Sequence, residues 1–155
     1  MAGSVEGKLT ELGLGLPDNM PDPAGNYVSA VTAGSLVFVS GHGPFRGGVL
    51  AYQGKVGSQV SFDDAVDAAR LTMLNCLASL KAEIGSLERV KRVVKLLGMV
   101  NADPGFDRHP AVINGASDLL TEIYGERGRH ARSAVGMGSL PMQIPVEIEM
   151  IVEID

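Results

Sequence analysis

Two charged residues near the end of the chain, Arg132 and Glu147, have the chemistry of a site for a small carboxylate-bearing molecule. The planar guanidinium of an arginine holds a carboxylate through two parallel hydrogen bonds, which a lysine cannot form. A glutamate beside a cation is ionised and accepts a hydrogen bond from water, and a dry site raises its basicity. The alternatives are a surface ion pair from Arg132 to Glu147 or Glu149, or a solvated strand glutamate.

Both residues lie in stretches whose apolar residues alternate, which predicts two sequential strands joined by a proline-bounded loop. One side of the strands is expected to face the core, and it carries Val135, Met137, Val146, Ile148, Met150 and Val152. The other side is expected to carry Arg132, Ala134, Gly136 and Gly138 beside Glu147, Glu149, Ile151 and Glu153. Small residues next to an arginine and a glutamate predict a hollow rather than a solvated surface.

Length and composition favour one domain spanning 1–155, because a chain of 155 residues buries roughly two-thirds of its unfolded surface. The single Cys76 excludes an internal disulfide framework. A formal net charge of −5 argues against sequence-independent binding of nucleic acid, which requires a basic surface. No apolar run is long enough for a membrane span and the N-terminus lacks a signal pattern, so we expect a cytoplasmic protein.

Two helices are predicted, at 61–84 and 107–124. Ser61 has the position of an N-cap, while Gly85 and Gly125 are typical helix ends. Strands are expected at 26–31, 36–40, 48–52 and 93–101, besides the two C-terminal ones. Residues 1–25 should form an edge strand near 8–12 and a proline-rich loop. This order predicts an α+β fold with a mostly antiparallel six-stranded sheet and two helices on one face.

The segment between two predicted strands, residues 41–48, contains four glycines. Such a density of glycine lets backbone N–H groups approach a ligand closely, although a flexible turn is an equal alternative. The sheet face that the helices leave open should carry small and apolar residues. We therefore expect self-association of the chain to cover it.

Several of these residues together resemble the RidA (YjgF) family of reactive-intermediate deaminases. The similarity is most specific in the Arg132-Ser strand ending in Leu140-Pro141, the Val-Glu-Ile-Glu segment at 146–149, and Leu-Val-Phe-Val-Ser-Gly at 36–41. Asn26-Tyr27-Val28 and Ile113-Asn114 agree with it, and the resemblance covers about residues 25–153. It implies the chorismate mutase-like α+β fold, a homotrimer with ligand sites between subunits, and hydrolysis of enamine or imine intermediates.

The resemblance also implies roles for individual residues. Arg132 matches the residue that binds the substrate carboxylate, and Glu147 matches the acidic residue that directs water. Tyr27 matches a pocket tyrosine and Gly41 a glycine whose backbone lines the pocket. Asn114 matches a helix asparagine that braces the site across the interface, and a satisfied amide within the helix is the equal alternative.

The chain departs from the family pattern at Ala134 and Gly136, where better-known members have Cys and Glu, and in a longer glycine-rich loop. We expect these small residues to widen the pocket. Phe45 in the loop is expected to close over it as an apolar lid, so that carboxylates with larger side chains are preferred.

Three functions remain open: a hydrolytic deaminase, a non-catalytic protein that binds a small carboxylate in the same pocket, and an endoribonuclease, against which the acidic charge weighs. The three histidines are too far apart in the sequence for a known metal motif. We predict neither a metal nor an organic cofactor.

Overall fold

A five-stranded, mostly antiparallel sheet carries the helices on one face, which confirms the predicted α+β class. The computed structural model describes residues 3–18 and 20–155; Met1, Ala2 and Asn19, which belong to the predicted N-terminal segment, lie outside it. The helices are α1 (Val5–Glu11), α2 (Phe62–Ile84) and α3 (His109–Tyr124). The strands are β1 (Ala30–Ala33), β2 (Leu36–His42), β3 (Phe45–Arg46), β4 (Val49–Leu50), β5 (Val90–Asn101), β6 (Ala131–Met137) and β7 (Val146–Ile154).

Helix α2 begins and ends where the sequence predicts. The Ser61 side chain accepts a hydrogen bond from the Asp64 backbone N–H at 3.1 Å, and Gly85 ends the helix with a φ of 85°. Its apolar residues face the sheet and α3, and most of them are fully buried. No helix within residues 3–18 or 20–155 is long and apolar enough to cross a membrane.

The predicted edge strand at 8–12 is wrong, because most of this segment belongs to α1. The Ser4 side chain caps the helix by accepting a hydrogen bond from the Gly7 N–H at 2.9 Å. Val5 and Leu9, four residues apart, are both buried, as on one face of a helix. Leu9 and Leu12 are three residues apart, a spacing that places them on one side of a helix but on opposite sides of a strand.

The main sheet has five strands rather than six, with the order β1-β2-β7-β5-β6. The predicted strand at 48–52 contributes only β4, which pairs with β3 in a separate two-stranded sheet. The predicted strand at 26–31 is likewise shorter, since β1 begins at Ala30. The N–H of Tyr27 donates to the Gly25 carbonyl at 3.0 Å, so residues 25–27 form a turn outside the sheet.

The two C-terminal strands are not neighbours, because β5 lies between them, parallel to β6 and antiparallel to β7. The prediction of the two faces of β6 is wrong. The residue pairs Leu96–Arg132, Gly98–Ala134 and Val100–Gly136 place Arg132, Ala134 and Gly136 on the side of the helices. On the opposite side Val135 is 39% exposed.

Close packing of α3 explains why small residues of β6 face inward. Ala134 packs against the main core, and a Cβ added at Gly136 would lie 2.5 Å from His109 Nε2 on α3. Larger residues at these positions would push the helix off the sheet. In contrast, β7 has the predicted faces, with Val146, Ile148, Met150 and Val152 buried.

The sheet face away from the helices is rich in exposed apolar side chains. Val31 is 50%, Phe38 43% and Val135 39% exposed, and Ile151 pairs with Phe38 on the same face. The residues on this surface are not all those that the sequence predicted. The surface nevertheless exposes apolar side chains that the helices do not cover.

We expect Gly115→Ala to destabilise the protein, because a Cβ at this position would lie 2.1 Å from the Val66 carbonyl oxygen of α2. Overpacking of this kind costs about 1–3 kcal/mol, partly offset by the better helix propensity of alanine. Urea denaturation measures the loss. Gly138→Ala is the control, since its added Cβ meets nothing within 4 Å; equal stabilities of the two variants would contradict the prediction.

Candidate functional site

A cavity of about 660 Å³ opens where β2 ends beside β7, and α2 contributes Asn75 to its lining. Its lining includes Tyr27, Gly41, His42, Phe45, Asn75 and Glu147. A volume of this size is in the ordinary range for sites that bind small molecules. The structure thus brings together four residues predicted for the site: Tyr27, Gly41, Phe45 and Glu147.

Glu147 is the central carboxylate of the cavity. Burial, and secondly the negative charge of Glu149, raise the pKa of its carboxyl above the ordinary value. No described residue donates a hydrogen bond to Glu147 or forms an ion pair with it. An acceptor left open in a partly dry cavity can bind a water molecule or an N–H group of a ligand.

The position of Gly41 beside this carboxylate requires glycine. A Cβ added there would lie 2.6 Å from Glu147 Oε2, so any side chain would displace the carboxylate. The register between β2 and β7 shifts between Val39 and His42, which is a β-bulge at this point. Such irregularities turn the strand near functional sites, and here the bulge brings the Gly41 backbone against Glu147.

His42 forms a fixed part of the wall. Its Nδ1 lies 2.5 Å from the Ser40 carbonyl oxygen and therefore donates, and its Nε2 lies 2.7 Å from Ser79 Oγ on α2. Burial lowers the pKa of the imidazole, so the neutral ring accepts the hydroxyl hydrogen of Ser79. Because both ring nitrogens are engaged, His42 acts as a structural wall.

Asn75 anchors the glycine loop, and the sequence analysis missed it. The side chain is 1% exposed, and its Nδ2 donates to the carbonyl oxygens of Gly43 at 2.8 Å and Phe45 at 3.0 Å. The signal in the sequence was a polar series inside the apolar α2, since Thr72, Asn75 and Ser79 are three or four residues apart and all buried. The loop carbonyls satisfy the Nδ2 donor of this buried amide, whereas its buried Oδ1 has no hydrogen-bond partner among the described residues.

Tyr27 lies at the cavity beside the N-terminal segment. Its hydroxyl accepts a hydrogen bond from the Ala24 N–H at 3.3 Å, and the side chain is half exposed. The ring can therefore serve as a wall that also organises the preceding turn. Phe45 lines the same cavity from β3, as expected for a residue of the glycine-rich loop.

Arg132 is not part of this cavity, so the predicted hollow shared by Arg132 and Glu147 is wrong within one chain. Arg132 lies on the helix side of the edge strand β6, whereas Glu147 lies on the opposite face of the sheet. Arg132 Nη1 donates to Asn114 Oδ1 at 2.8 Å and to Ser117 Oγ at 3.1 Å. The structure thus groups Arg132 with Asn114, as a second cluster on α3 and β6.

A directed chain of hydrogen bonds extends this cluster. His130 Nδ1 lies 2.7 Å from the Gly128 carbonyl oxygen and donates to it. Burial and the nearby Arg132 charge lower the pKa of His130, so its Nε2 is an acceptor for the Ser117 hydroxyl at 2.9 Å. The oxygen of Ser117 is then free to accept from Arg132, which fixes the guanidinium at the edge of the sheet.

Within one chain, Ala134 and Gly136 do not widen the cavity in the way that the sequence predicted. Both residues face the helices, and neither lines the cavity. The room that Gly136 leaves is occupied by His109. Their substitution in this chain therefore accommodates α3 rather than a ligand.

Within residues 3–18 and 20–155, no group of three His, Cys, Asp or Glu side chains is placed to hold a metal ion. The described lining of the cavity contains the carboxylates Asp22, Glu147 and Glu149 but no lysine or arginine. A single chain therefore presents an acidic cavity that favours ligands with hydrogen-bond donors.

We expect Glu147→Gln to stabilise the protein increasingly as the pH rises. Because the folded state raises the pKa of Glu147, it holds the proton more tightly than the unfolded chain, whose glutamates titrate near about pH 4.3. Below that pH the carboxyl of Glu147 is protonated in both states, so its burial costs no charge penalty. As the pH rises, ionisation of the buried carboxyl lowers the stability of the wild type but not that of the Gln variant. Thermal unfolding of both proteins between about pH 3.5 and 7.5 measures the difference.

The matched control is Glu11→Gln on the exposed side of α1. Its effect on the midpoint temperature should change little over the same range. A Glu147→Gln effect that is constant with pH, or that shrinks as the pH rises, would contradict the desolvation of Glu147.

Comparison with known proteins finds a matching family model and related sequences. Residues 6–153 match the family model described as "YjgF/chorismate mutase-like, putative endoribonuclease". The chain is 41% identical to protein TCP17 of Trypanosoma cruzi over 157 aligned residues, which cover 99% of this chain and 96% of that protein.

Solved structures show the same fold. The protein Atu1372 of Agrobacterium tumefaciens, described as having unknown function, superposes with a TM-score of 0.91 at 46% identity, over 99% of this chain and 94% of that one. Escherichia coli TdcF, solved with bound serine, superposes with a TM-score of 0.62 at 27% identity, over 87% of this chain and 93% of that one.

Proposed function

Since the chain belongs to the RidA/YjgF family, we propose that it hydrolyses reactive enamine or imine intermediates bearing a carboxylate, and releases a 2-oxo acid and ammonia. The observation that carries the proposal is Glu147 at a cavity of suitable size, a partly buried carboxylate without a hydrogen-bond or ion-pair partner among the described residues. The bound serine of TdcF supports an amino acid-like ligand.

The chemistry requires water to add to the carbon of a C=N bond. Glu147 accepts a proton from that water as its oxygen bonds to the carbon, and the electron pair of the C=N bond moves to nitrogen. Glu147 delivers this proton to the nitrogen, and it then passes the proton of the new hydroxyl group to the nitrogen as well. The C–N bond breaks as the C=O bond forms, and ammonia leaves. An enamine reaches the same path after tautomerising to the imine. A raised pKa suits Glu147 to both proton transfers.

A second copy of the chain supplies the carboxylate clamp in this proposal. The described lining of the cavity in a single chain contains no lysine or arginine. Arg132 lies on the edge strand β6, where hydrogen bonds to Asn114 and Ser117 orient its guanidinium. The exposed apolar face with Val31, Phe38 and Val135 gives a surface for self-association, and Glu147 lies on that same face. We propose a homotrimer in which Arg132 of one copy faces Glu147 of the next.

The two other candidate functions differ in what the cavity must hold. An endoribonuclease has to bind phosphates, and the carboxylates of Asp22, Glu147 and Glu149 would repel them. A non-catalytic carboxylate-binding protein would use the same clamp without turnover. A measurement of imine hydrolysis distinguishes the deaminase from the non-catalytic binding protein.

We expect Arg132→Ala to lose most of the affinity for 2-oxo acids, and Arg132→Lys to restore little of it. A charge-assisted bidentate contact in a partly dry site is worth about 2–4 kcal/mol, or roughly 30- to 1000-fold in affinity. Titration calorimetry with pyruvate and an assay with imines generated in situ by an amino acid oxidase measure binding and turnover. Equal affinities in wild type and both variants would make Arg132 purely structural.

A mixing experiment tests whether the site lies between copies. Arg132→Ala and Glu147→Gln are each expected to be inactive, but equal amounts refolded together should regain about a quarter of wild-type activity. In a closed ring with random assembly, this is the fraction of interfaces that combine an intact Arg132 with an intact Glu147.

The control is each variant refolded alone. Light scattering should give about 49 kDa for the trimer, three times the chain mass of 16.2 kDa. The shared site would be contradicted if the mixed variants were as inactive as the separate ones and light scattering gave the mass of a single chain.

A further inference from the structure

Two consecutive residues at the rim of the cavity have a backbone conformation that residues with side chains rarely adopt. Met142 and Gln143 both have a φ of 55°, in the left-handed region, within a tight turn between β6 and β7. A Cβ in this region is crowded by the neighbouring carbonyl oxygen. Such strain persists only where the surrounding structure holds it, and it is concentrated at functional sites.

Hydrogen bonds from a loop preceding α2 hold the strained turn. Gln53 Nε2 donates to the Met142 carbonyl oxygen at 2.8 Å, and the Gly54 N–H donates to the Gln143 carbonyl oxygen at 2.7 Å. Within the turn, the Gln143 N–H donates to the Leu140 carbonyl oxygen at 3.0 Å. Both strained peptide units are therefore fixed from outside the turn.

A second set of contacts fixes the two ends of the turn. Lys55 Nζ donates to the Gly138 carbonyl oxygen at 2.7 Å and to Asn101 Oδ1 at 2.8 Å. Asn101 is completely buried, and its Nδ2 donates to the Ile144 carbonyl oxygen at 3.2 Å. The buried Asn101 thus holds one end of the turn directly and the other end through Lys55, which leaves little freedom for another backbone course.

The strained turn provides apolar lining to the cavity. Pro141, Met142 and Ile144 belong to the lining, together with Phe45, whereas Gln143 does not. Met142 is 51% exposed, so in one chain its side chain is largely available for contact. The cavity thus has an apolar part beside the polar part formed around Gly41 and Glu147.

We propose that Met142 is a specificity-determining residue of this cavity and that the ligand carries an apolar substituent of about the size of a phenyl or isobutyl group, which packs against Met142. This inference rests on the proposed function for the reacting end of the ligand. The strained backbone places a flexible thioether side chain at the rim, where it adapts to apolar groups and contacts aromatic rings favourably. The size preference thus arises from Met142 and not from Ala134 and Gly136.

The first test uses the protein labelled with ¹³C at its methionine methyl groups, and two matched ligand pairs. 2-Oxo-4-phenylbutanoate and 4-phenylbutan-2-one share the phenyl group, and only the first has the carboxylate; pyruvate and acetone lack the phenyl group. Both phenyl ligands should shift the Met142 methyl resonance through the ring current, and the small ligands should shift it much less. The buried Met73 is the internal reference, and Met142→Leu assigns the signal.

The second test compares Met142→Gly with Gln143→Gly. Both remove backbone strain in the turn, and Gln143→Gly also removes the Oε1 acceptor that lies 3.5 Å from Asn101 Nδ2. Met142→Gly should therefore unfold at a midpoint temperature no lower than that of wild type, and Gln143→Gly at one no higher than that of Met142→Gly. Only Met142→Gly removes a residue that lines the cavity. We expect it to weaken binding of 4-phenylbutan-2-one roughly fivefold or more, and of acetone less than about twofold.

The outcomes separate this inference from the proposed function. A Met142 signal that neither phenyl ligand moves, or equal effects of the two glycine variants on phenyl ligands, would overturn the role of Met142 even if imines are hydrolysed. The opposite outcome is that 4-phenylbutan-2-one shifts the Met142 resonance, while the carboxylate of 2-oxo-4-phenylbutanoate adds no affinity and no imine is hydrolysed. In that case the proposed function is wrong, but the role of Met142 in binding apolar groups is supported.

Discussion

The close approach of α3 to its neighbours is the constraint from which the arrangement of the site follows. Gly115 lets α3 contact the backbone of α2, and Gly98 and Gly136 leave room on the sheet for Ile113 and His109 of α3. A helix seated this deeply requires small residues on the inner side of β6. Arg132 shares that side, so its guanidinium lies beside α3 and on the opposite face of the sheet from Glu147.

The sequence was sufficient for most of the fold because its signals were local. Ser61 and Gly85 bound α2 through contacts within a few residues, and the faces of β7 follow from a long alternation with valine, isoleucine and methionine. The faces of β6 could not be predicted, since Val135 competes with Ala134 and Gly136 for the inner side. Only the distance to α3, which no local pattern encodes, decides for the small residues.

The positions of Gly41 and Glu147 at the cavity could be predicted, because both residues belong to short sequence motifs that resemble those of the family. Its supporting residues were not, because their roles depend on pairs distant in sequence. Asn75 meets carbonyl groups thirty or more residues away, and Gln53 meets the Met142 carbonyl oxygen across eighty-nine positions. The left-handed turn at Met142 was equally hidden, since methionine and glutamine do not signal such a conformation.

The tether from Asn75 to the glycine loop ties the rim of the cavity to the hydrophobic interior. A loop with glycines at 41, 43, 47 and 48 would otherwise be among the most deformable parts of the chain. Its course near Gly43 and Phe45 is instead set in the middle of α2, among residues that determine folding. The backbone of this rim can therefore be remodelled only together with the core.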